Sequence, residues 1–411
     1  MNDINLDIPK GCILARGFDW DSVRFPPRQV GTFCSLNYGK SLVEGLRKQG
    51  IIPIYGTNGQ CGWHDQPLSD GPGVILGRKG QGHLGVKWSS SPFWVIDTAY
   101  YANVDREQAD IRWFYYITKY VGLDQLKTGE KPGLPRELFC RQLFPYPSLD
   151  KQRDIARILG SLDDKIELNR RINRTLETMA QAIFRSWFVD FEPVSAKRDG
   201  RKPVGMDDAT AALFPEHFQE TDMGTIPLGW SYGTLSDLAK ITSGKRPGQR
   251  STTRTSDMVI PIFGGGGMMG YTDQALCTSK MLLTGRVGTL GLIFRISEPC
   301  WPSDNTLILT CADRDHEYVY QVIQETDFDS LNRGSSQPLV TQGDLLALKV
   351  LLPSSEILER YHAITVSMFN KIDRNKNSID TLAALRDSLL PQLLSGELRV
   401  GQAEKIVEEA S

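Results

Sequence analysis

The sequence predicts an α+β fold: two similar mixed α/β globules separated by two long helices that form an antiparallel coiled coil, with a pseudo-twofold internal repeat. Three observations predict it. Short motifs recur at a nearly constant offset, each half opens with glycine-bounded apolar runs of strand length, and each half closes with a long heptad pattern.

The repeat is collinear. Ile52-Pro53-Ile54-Tyr55-Gly56 returns as Ile260-Pro261-Ile262-Phe263-Gly264, and Gly77-Arg78-Lys79-Gly80 as Gly285-Arg286-Val287-Gly288, both at an offset of 208. Trp94 and Asp97 match Trp301 and Asp304 at 207, and Pro132, Lys165, Asn169 and Leu176 match Pro338, Lys371, Asn375 and Leu382 at 206. The opening Ile8-Pro9-Lys10-Gly11 pairs with Ile226-Pro227-Leu228-Gly229 at 218, so the first half carries about ten extra residues near its start.

Taken in order, residues 1–149 read as the first globule. It holds a strand at Gly73–Leu76 and a helix around Ile111–Ile117. Residues 150–190 read as the first long helix, with Ile155, Leu159, Leu162, Ile166, Leu176 and Ile183 on one seam and Asn169 and Asn173 within it. Residues 191–223 read as a polar, Gly/Pro-punctuated linker with a short helix near Asp208–Phe214. Residues 224–353 repeat the globule, with a strand at Lys280–Leu283 and a helix at Glu317–Ile323. Residues 354–395 are the second long helix, with Tyr361, Ile364, Met368, Ile372, Ile379, Leu382 and Leu389 on its seam, and 396–411 a tail. Thirty-five to forty helical residues make a rod of roughly 50–60 Å. A heptad seam facing water needs a partner, and the chain supplies two, which a globule-then-helix repeat makes antiparallel.

The chemistry is mostly a set of missing signals. The 411 residues carry 47 Lys+Arg against 49 Asp+Glu, a formal charge of -2, which at first sight argues against a polyanion-coating protein. No apolar run is long enough to span a membrane and no signal peptide is visible, so neither membrane nor secretion is expected. Seven cysteines without a CxxC pair fit a reducing cytosol. Gly39-Lys40-Ser41 ends like a P-loop, but Cys34 stands where the first glycine belongs. Phe263-Gly264-Gly265-Gly266-Gly267 is a repeated turn, with no amine-binding motif elsewhere to make it a methyltransferase loop. The five histidines form no metal-ligand spacing, and Asp163-Asp164 reads as a solvated pair on the rod.

The positive signal is local. From Lys240 to Arg254 the chain carries five basic residues and no acid, among Gly, Ser and Thr that bring backbone N–H groups close to phosphates. Arg78 and Arg286 sit on glycine-flanked turns, open to two readings: contact with a guanine edge or phosphate, or an exposed turn residue. Gln337, in the polar loop Asn332–Pro338, either pairs with adenine or caps a turn.

Three segments carry a family resemblance. Ile155-Ala156-Arg157-Ile158-Leu159-Gly160-Ser161-Leu162-Asp163-Asp164-Lys165-Ile166-Glu167-Leu168-Asn169, the run Met179–Phe191, and Leu385–Leu398 resemble the spacers of type I restriction–modification specificity subunits. The resemblance implies that each globule is a target-recognition domain for half of a split double-stranded DNA sequence, with the helices as a ruler. It implies two methyltransferase (modification) subunits and restriction subunits as partners. S-adenosylmethionine, ATP and magnesium would sit on those partners, with no catalytic residue, cofactor or metal on this chain, and a cytoplasmic location. Candidate DNA contacts are Lys40, Tyr55, Asn58, Arg78, Lys79 and Lys131 in the first globule. In the second they are Lys245, Arg246, Arg250, Arg254, Arg286, Arg333, Ser335, Ser336 and Gln337. Trp187 and Phe188 are either partner-facing anchors or core at a helix end. The alternative class is an enzyme, a stand-alone or fused DNA adenine methyltransferase. The near-neutral charge then means that mixed-charge rods dilute basic loops confined to the reading faces.

Overall fold

Two glycine-bounded apolar runs, Gly73–Gly77 and Met281–Gly285, are buried along their whole lengths and form inner strands of two four-stranded sheets. The computed structural model describes residues 8–80, 82–127, 133–334 and 337–409. The chain divides into two compact units, Met1–Arg170 with Lys376–Ser411, and Arg171–Asn375. Its helices are α1 (Ile111–Val121), α2 (Arg136–Cys140), α3 (Leu149–Phe188), α4 (Glu192–Arg198), α5 (Asp208–Ala212), α6 (His316–Gln324), α7 (Gln342–Leu346), α8 (Ser355–Ser395) and α9 (Val400–Glu409).

Both units follow one plan. In the first, the antiparallel sheet runs Cys34–Tyr38, Ala99–Val104, Gly73–Gly77, Val86–Ser89. In the second, it runs Ala239–Ser243, Thr306–Cys311, Met281–Gly285, Ile293–Ile296. Each unit adds a hairpin, Ile52–Gly56 with Gly59–His64 and Ile260–Gly264 with Gly267–Thr272, flanked by a short parallel strand. The ladder slips at Ile54/Tyr55 in one hairpin and at Ile262/Phe263 in the other, the same place in the repeated motif. Glycines 59 and 267 close these hairpins at φ +129° and +117°, which a side chain would strain.

The long helices pack as the heptads predict, antiparallel within each unit. In the first unit Ile155, Leu159, Leu162 and Ile166 of α3 share a core with Leu382, Leu389, Leu390 and Leu393 of α8. In the second, α3 puts Ala180 with Phe369 and Ile372 of α8, and Phe184 with Tyr361. The seam asparagines find partners: Asn169 Nδ2 donates to Ser378 Oγ (3.3 Å), and Asn375 Nδ2 to Asn173 Oδ1 (2.7 Å).

Each globule docks a helix onto this pair. Asp110 caps α1 by accepting from the N–H groups of Arg112 and Trp113. Arg112 then forks onto Asp164 (2.6 and 3.1 Å), while Asp163 accepts from Tyr116 (2.8 Å) and Arg386 (2.6 Å). Asp163 is therefore a docking residue, where the sequence pattern alone reads a solvated pair. In the second unit α6 presents Glu317, fully buried, to Lys280 (2.8 Å), Arg295 (3.2 Å) and His362 of α8 (2.6 Å). Arg295 also reaches Asp373 of α8 (3.4 Å) and lies 4.0 Å from the Phe369 ring centre. Burial pushes the Glu317 carboxyl upward, but His316, Lys280 and their charges outweigh it and hold it far below the ordinary carboxylate range.

One open alternative closes and two expectations change. Trp187 and Phe188 are not surface anchors: each is 5% exposed, in a core with Phe214, Trp230, Tyr318 and Tyr361. An aromatic pair ending an amphipathic helix is more stable covered than presented. Within 191–223, Glu192–Arg198 is helical and buries Val194 and Ala196, with Pro193 in its first turn, where proline suits a helix. The stretch after Gly396 is also helical. There α9 buries Ala403 against the first unit's core and pairs Glu404 with Arg157 of α3.

Candidate nucleic-acid interface

One end of each globule gathers the repeated turns. Gly39 and Gly244 are where the Gly-Lys loops pass closest: a Cβ there would stand 2.1 Å from the Ile96 or Ser303 carbonyl oxygen, so no other residue fits. The following lysines are fixed alike. Lys40 N–H donates to Val95 O (2.8 Å) and Lys245 N–H to Pro302 O (3.0 Å), and their carbonyls accept from the indoles of Trp94 (3.0 Å) and Trp301 (2.6 Å). Both lysines are exposed.

The Gly-Arg-x-Gly loops adjoin them. Arg78 N–H donates to Thr98 O and Arg286 N–H to Asn305 O, each at 2.9 Å. In turn Arg78 O accepts from Leu134 and Arg286 O from Val340, again at 2.9 Å. Thr57, in the hairpin turn beside Asn58, places Oγ1 within 2.6 Å of Lys79 O and 2.8 Å of Thr98 O. Thus Lys40, Asn58, Arg78 and Lys79 converge in the first unit, and Lys245, Arg286 and Gln337 in the second, where Gln337 Nε2 comes within 3.7 Å of a Cβ built on Gly288.

The side chains differ in freedom. Arg78 is half-buried, donates to Asp97 O (2.7 Å) and lies 4.8 Å from the Tyr38 ring centre. Arg286 is half-buried beside Ser243 Oγ (3.4 Å), with its Nε unpaired. These arginines therefore brace the turn as well as edging it. Lys79 is 3.9 Å from Asp97, and Arg333 pairs with the buried Asp344, which completes the capping box that Thr341 opens on α7. Tyr55 packs edge-on to Phe93. Arg246, Arg250, Arg254, Asn58 and Gln337 are exposed. Lys131, Ser335 and Ser336 lie outside the described residues.

The sequence reading missed several neighbours. Tyr38, 52% exposed, stands before Gly39-Lys40 with Arg78 and Arg136 near its ring, and an aromatic next to a repeated Gly-Lys turn was a usable signal. Burial, then Tyr38 and its hydrogen bond, push the Tyr100 hydroxyl up, against the opposing charge of Arg78. Lys87 and Lys119 line a cavity of about 300 Å³ with Asn58 and His83, with nothing in the local sequence to mark them. Beside it Asp124 takes Leu84 N–H (2.9 Å) and contacts His83 and Lys127. Burial raises its carboxyl, but those donors outweigh it and hold it at about 2.

Two globules of one topology, each with a basic, glycine-turned end and a helix docked on antiparallel long helices, make this a chain built by duplication. The family is specific: the model of the type I restriction modification DNA specificity domain matches residues 26–178 and 227–384, and the chain belongs to that family. It is a type I specificity subunit. It is 27% identical over 337 residues to the type I restriction enzyme HindI specificity subunit of Haemophilus influenzae, covering 66% of this chain and 72% of that protein. It is 26% identical over 283 residues to the MjaIX specificity subunit of Methanocaldococcus jannaschii, covering 62% and 61%. A crystal structure of the S subunit of a type I system from M. genitalium shares the fold at a TM-score of 0.61 and 17% identity, covering 90% of this chain and 96% of that one. Among the described residues no helix is long and apolar enough to cross a membrane.

Proposed function

We propose that this subunit reads a split double-stranded DNA target, one half-site per globule, and carries no catalysis of its own. The supporting observation is the recurrence, in both units, of the same Gly-Lys and Gly-Arg turns held by the same backbone bonds. Lys40 and Lys245 serve as phosphate contacts, and Arg246, Arg250, Arg254, Asn58 and Gln337 are the freest side chains for groove contact. Lys131, Ser335 and Ser336 are further DNA contacts, with Tyr55, Arg78, Lys79, Arg286 and Arg333 bracing the loops. The antiparallel helices set the gap between half-sites. Two modification subunits, which bind S-adenosylmethionine, and restriction subunits using ATP and magnesium dock on the chain in the cytoplasm.

The test is the gap. Removing one heptad from α3 and the matching heptad from α8 in the assembled complex shortens the preferred spacing, read from the methylated motifs of a host expressing it. An unchanged spacing removes the ruler role, and methylation without any split motif removes the bipartite reading.

A further inference from the structure

The basic loop of the second unit borders a cavity of about 750 Å³, within the roughly 300–1,000 Å³ of small-molecule sites. Arg246 and Arg250 reach it from the loop after Ala239–Ser243. Ile262 and Met269 form its apolar wall, and Ser303 and Asn305 its polar one. Asp304 also lines it. Neither guanidinium makes a hydrogen bond or ion pair among the described residues.

Ser303 is the buried polar residue of this lining. It is 5% exposed and its Oγ has no hydrogen-bond partner. Its backbone is pinned: the N–H donates to Phe263 O (2.8 Å), and the carbonyl accepts from Thr306 N–H (3.0 Å) and Thr306 Oγ1 (2.5 Å). A buried hydroxyl held this way and left unpaired calls for a reason. The first unit lacks the feature. At the corresponding place stands Ile96, whose Cδ1 lies 3.2 Å from a Cβ built on Gly56. One copy of the repeat places a hydrocarbon side chain at this position, and the other a buried, unpaired hydroxyl.

We propose that this cavity is a nucleotide site. The two guanidiniums take the phosphate. Ile262 and Met269 take the face of the base, and Ser303, Asn305 and Asp304 meet its hydrogen-bonding edge. Such a nucleotide comes either from a duplex, turned out of its stack, or free in solution; only the first source rests on the DNA reading above.

The experiment uses the full chain at low salt with three probes: dAMP and dCMP as free mononucleotides, a short fully paired duplex, and the same duplex with one central mismatch, which makes extrusion easier. A duplex source gives about tenfold tighter binding of the mismatched duplex. The preference disappears in Ser303→Ile and in the double variant Arg246→Gln/Arg250→Gln, while Ser303→Ile still binds the paired duplex normally. A free source gives mononucleotide binding that the same variants lose, with no mismatch preference. The proposal is overturned if neither mononucleotides nor the mismatch are distinguished. It is equally overturned if the discrimination survives in both Ser303→Ile and Ser303→Ala with unchanged unfolding midpoints. A chain that binds mononucleotides at this cavity but no duplex keeps the site and loses the DNA reading instead.

Discussion

The two units share a topology and solve the same docking problem with different physics. In the first, α1 meets the long helices through Arg112 and Asp164, the latter side chain 68% exposed, and through the Tyr116–Asp163–Arg386 contacts. In the second, α6 meets them through Glu317, which has no exposed surface and draws on Lys280, Arg295 and His362. A partly solvated pair is replaceable because water takes over when one partner goes. A buried carboxylate is not, because its removal strands cations in a low-dielectric interior. The repeat therefore preserves where a helix docks and lets the chemistry of the contact drift.

The largest expected effect breaks the buried cluster. Glu317→Gln destabilises the second unit by about 3–5 kcal/mol, whereas Asp164→Asn costs about 0.5–1 kcal/mol. Denaturant unfolding, with limited proteolysis to assign the transition to a unit, reads both. Equal losses would erase the distinction between the two docks.

Acid sharpens it. Glu317 is held below the ordinary carboxylate value, and burial lowers His316 below the ordinary imidazole value. Groups with depressed folded values contribute stability above their unfolded values of about 4.3 and 6.5 and lose it as pH falls through the folded ones. Asp315, raised by burial, works in the opposite sense but is displaced less than Glu317. Acidification from pH 7 should lower the hydrogen-exchange protection factors, taken against the intrinsic rate at each pH, in α6 and the facing part of α8 before α1. Opening of α1 first would contradict the assignment.

A smaller effect lies in the seam. Asn173→Leu alone leaves Asn375 buried without its 2.7 Å partner and costs about 1–3 kcal/mol, while changing both to Leu is neutral or stabilising. A double variant as unstable as the single one would mean that the pair does more than satisfy itself. Thermal unfolding of the three proteins decides it.

Much of this was legible in the sequence because it rests on local periodicity. The heptads marked the two long helices α3 and α8, and the collinear offset announced two globules of one plan. The shared slip in the hairpins was not marked by it. What stayed hidden depends on long-range contacts. Glu317 looks like any first-turn acid until Arg295 and His362 arrive from other elements. Ser303 looks like a turn residue until its hydroxyl is seen without a partner. Trp187 and Phe188 were ambiguous because exposure is decided by Phe214, inside the segment that reads as linker, and by Trp230 beyond it.

The smallest effect tests whether the two glycine-turned ends are equivalent on DNA. Lys40 and Lys245 are exposed and fixed by matching backbone and tryptophan bonds, and neither side chain supports the fold. Lys40→Gln and Lys245→Gln should each leave the unfolding midpoint unchanged. Each should weaken binding to any duplex alike and reduce the slope of log affinity against log salt by about 0.9, the signature of one lost phosphate contact. The double variant should lose twice that slope, because the contacts are independent. If only Lys245→Gln moves the slope, the basic loop from Lys240 to Arg254 makes the second unit the electrostatic anchor, and the first reads its half-site from a position the second has already set.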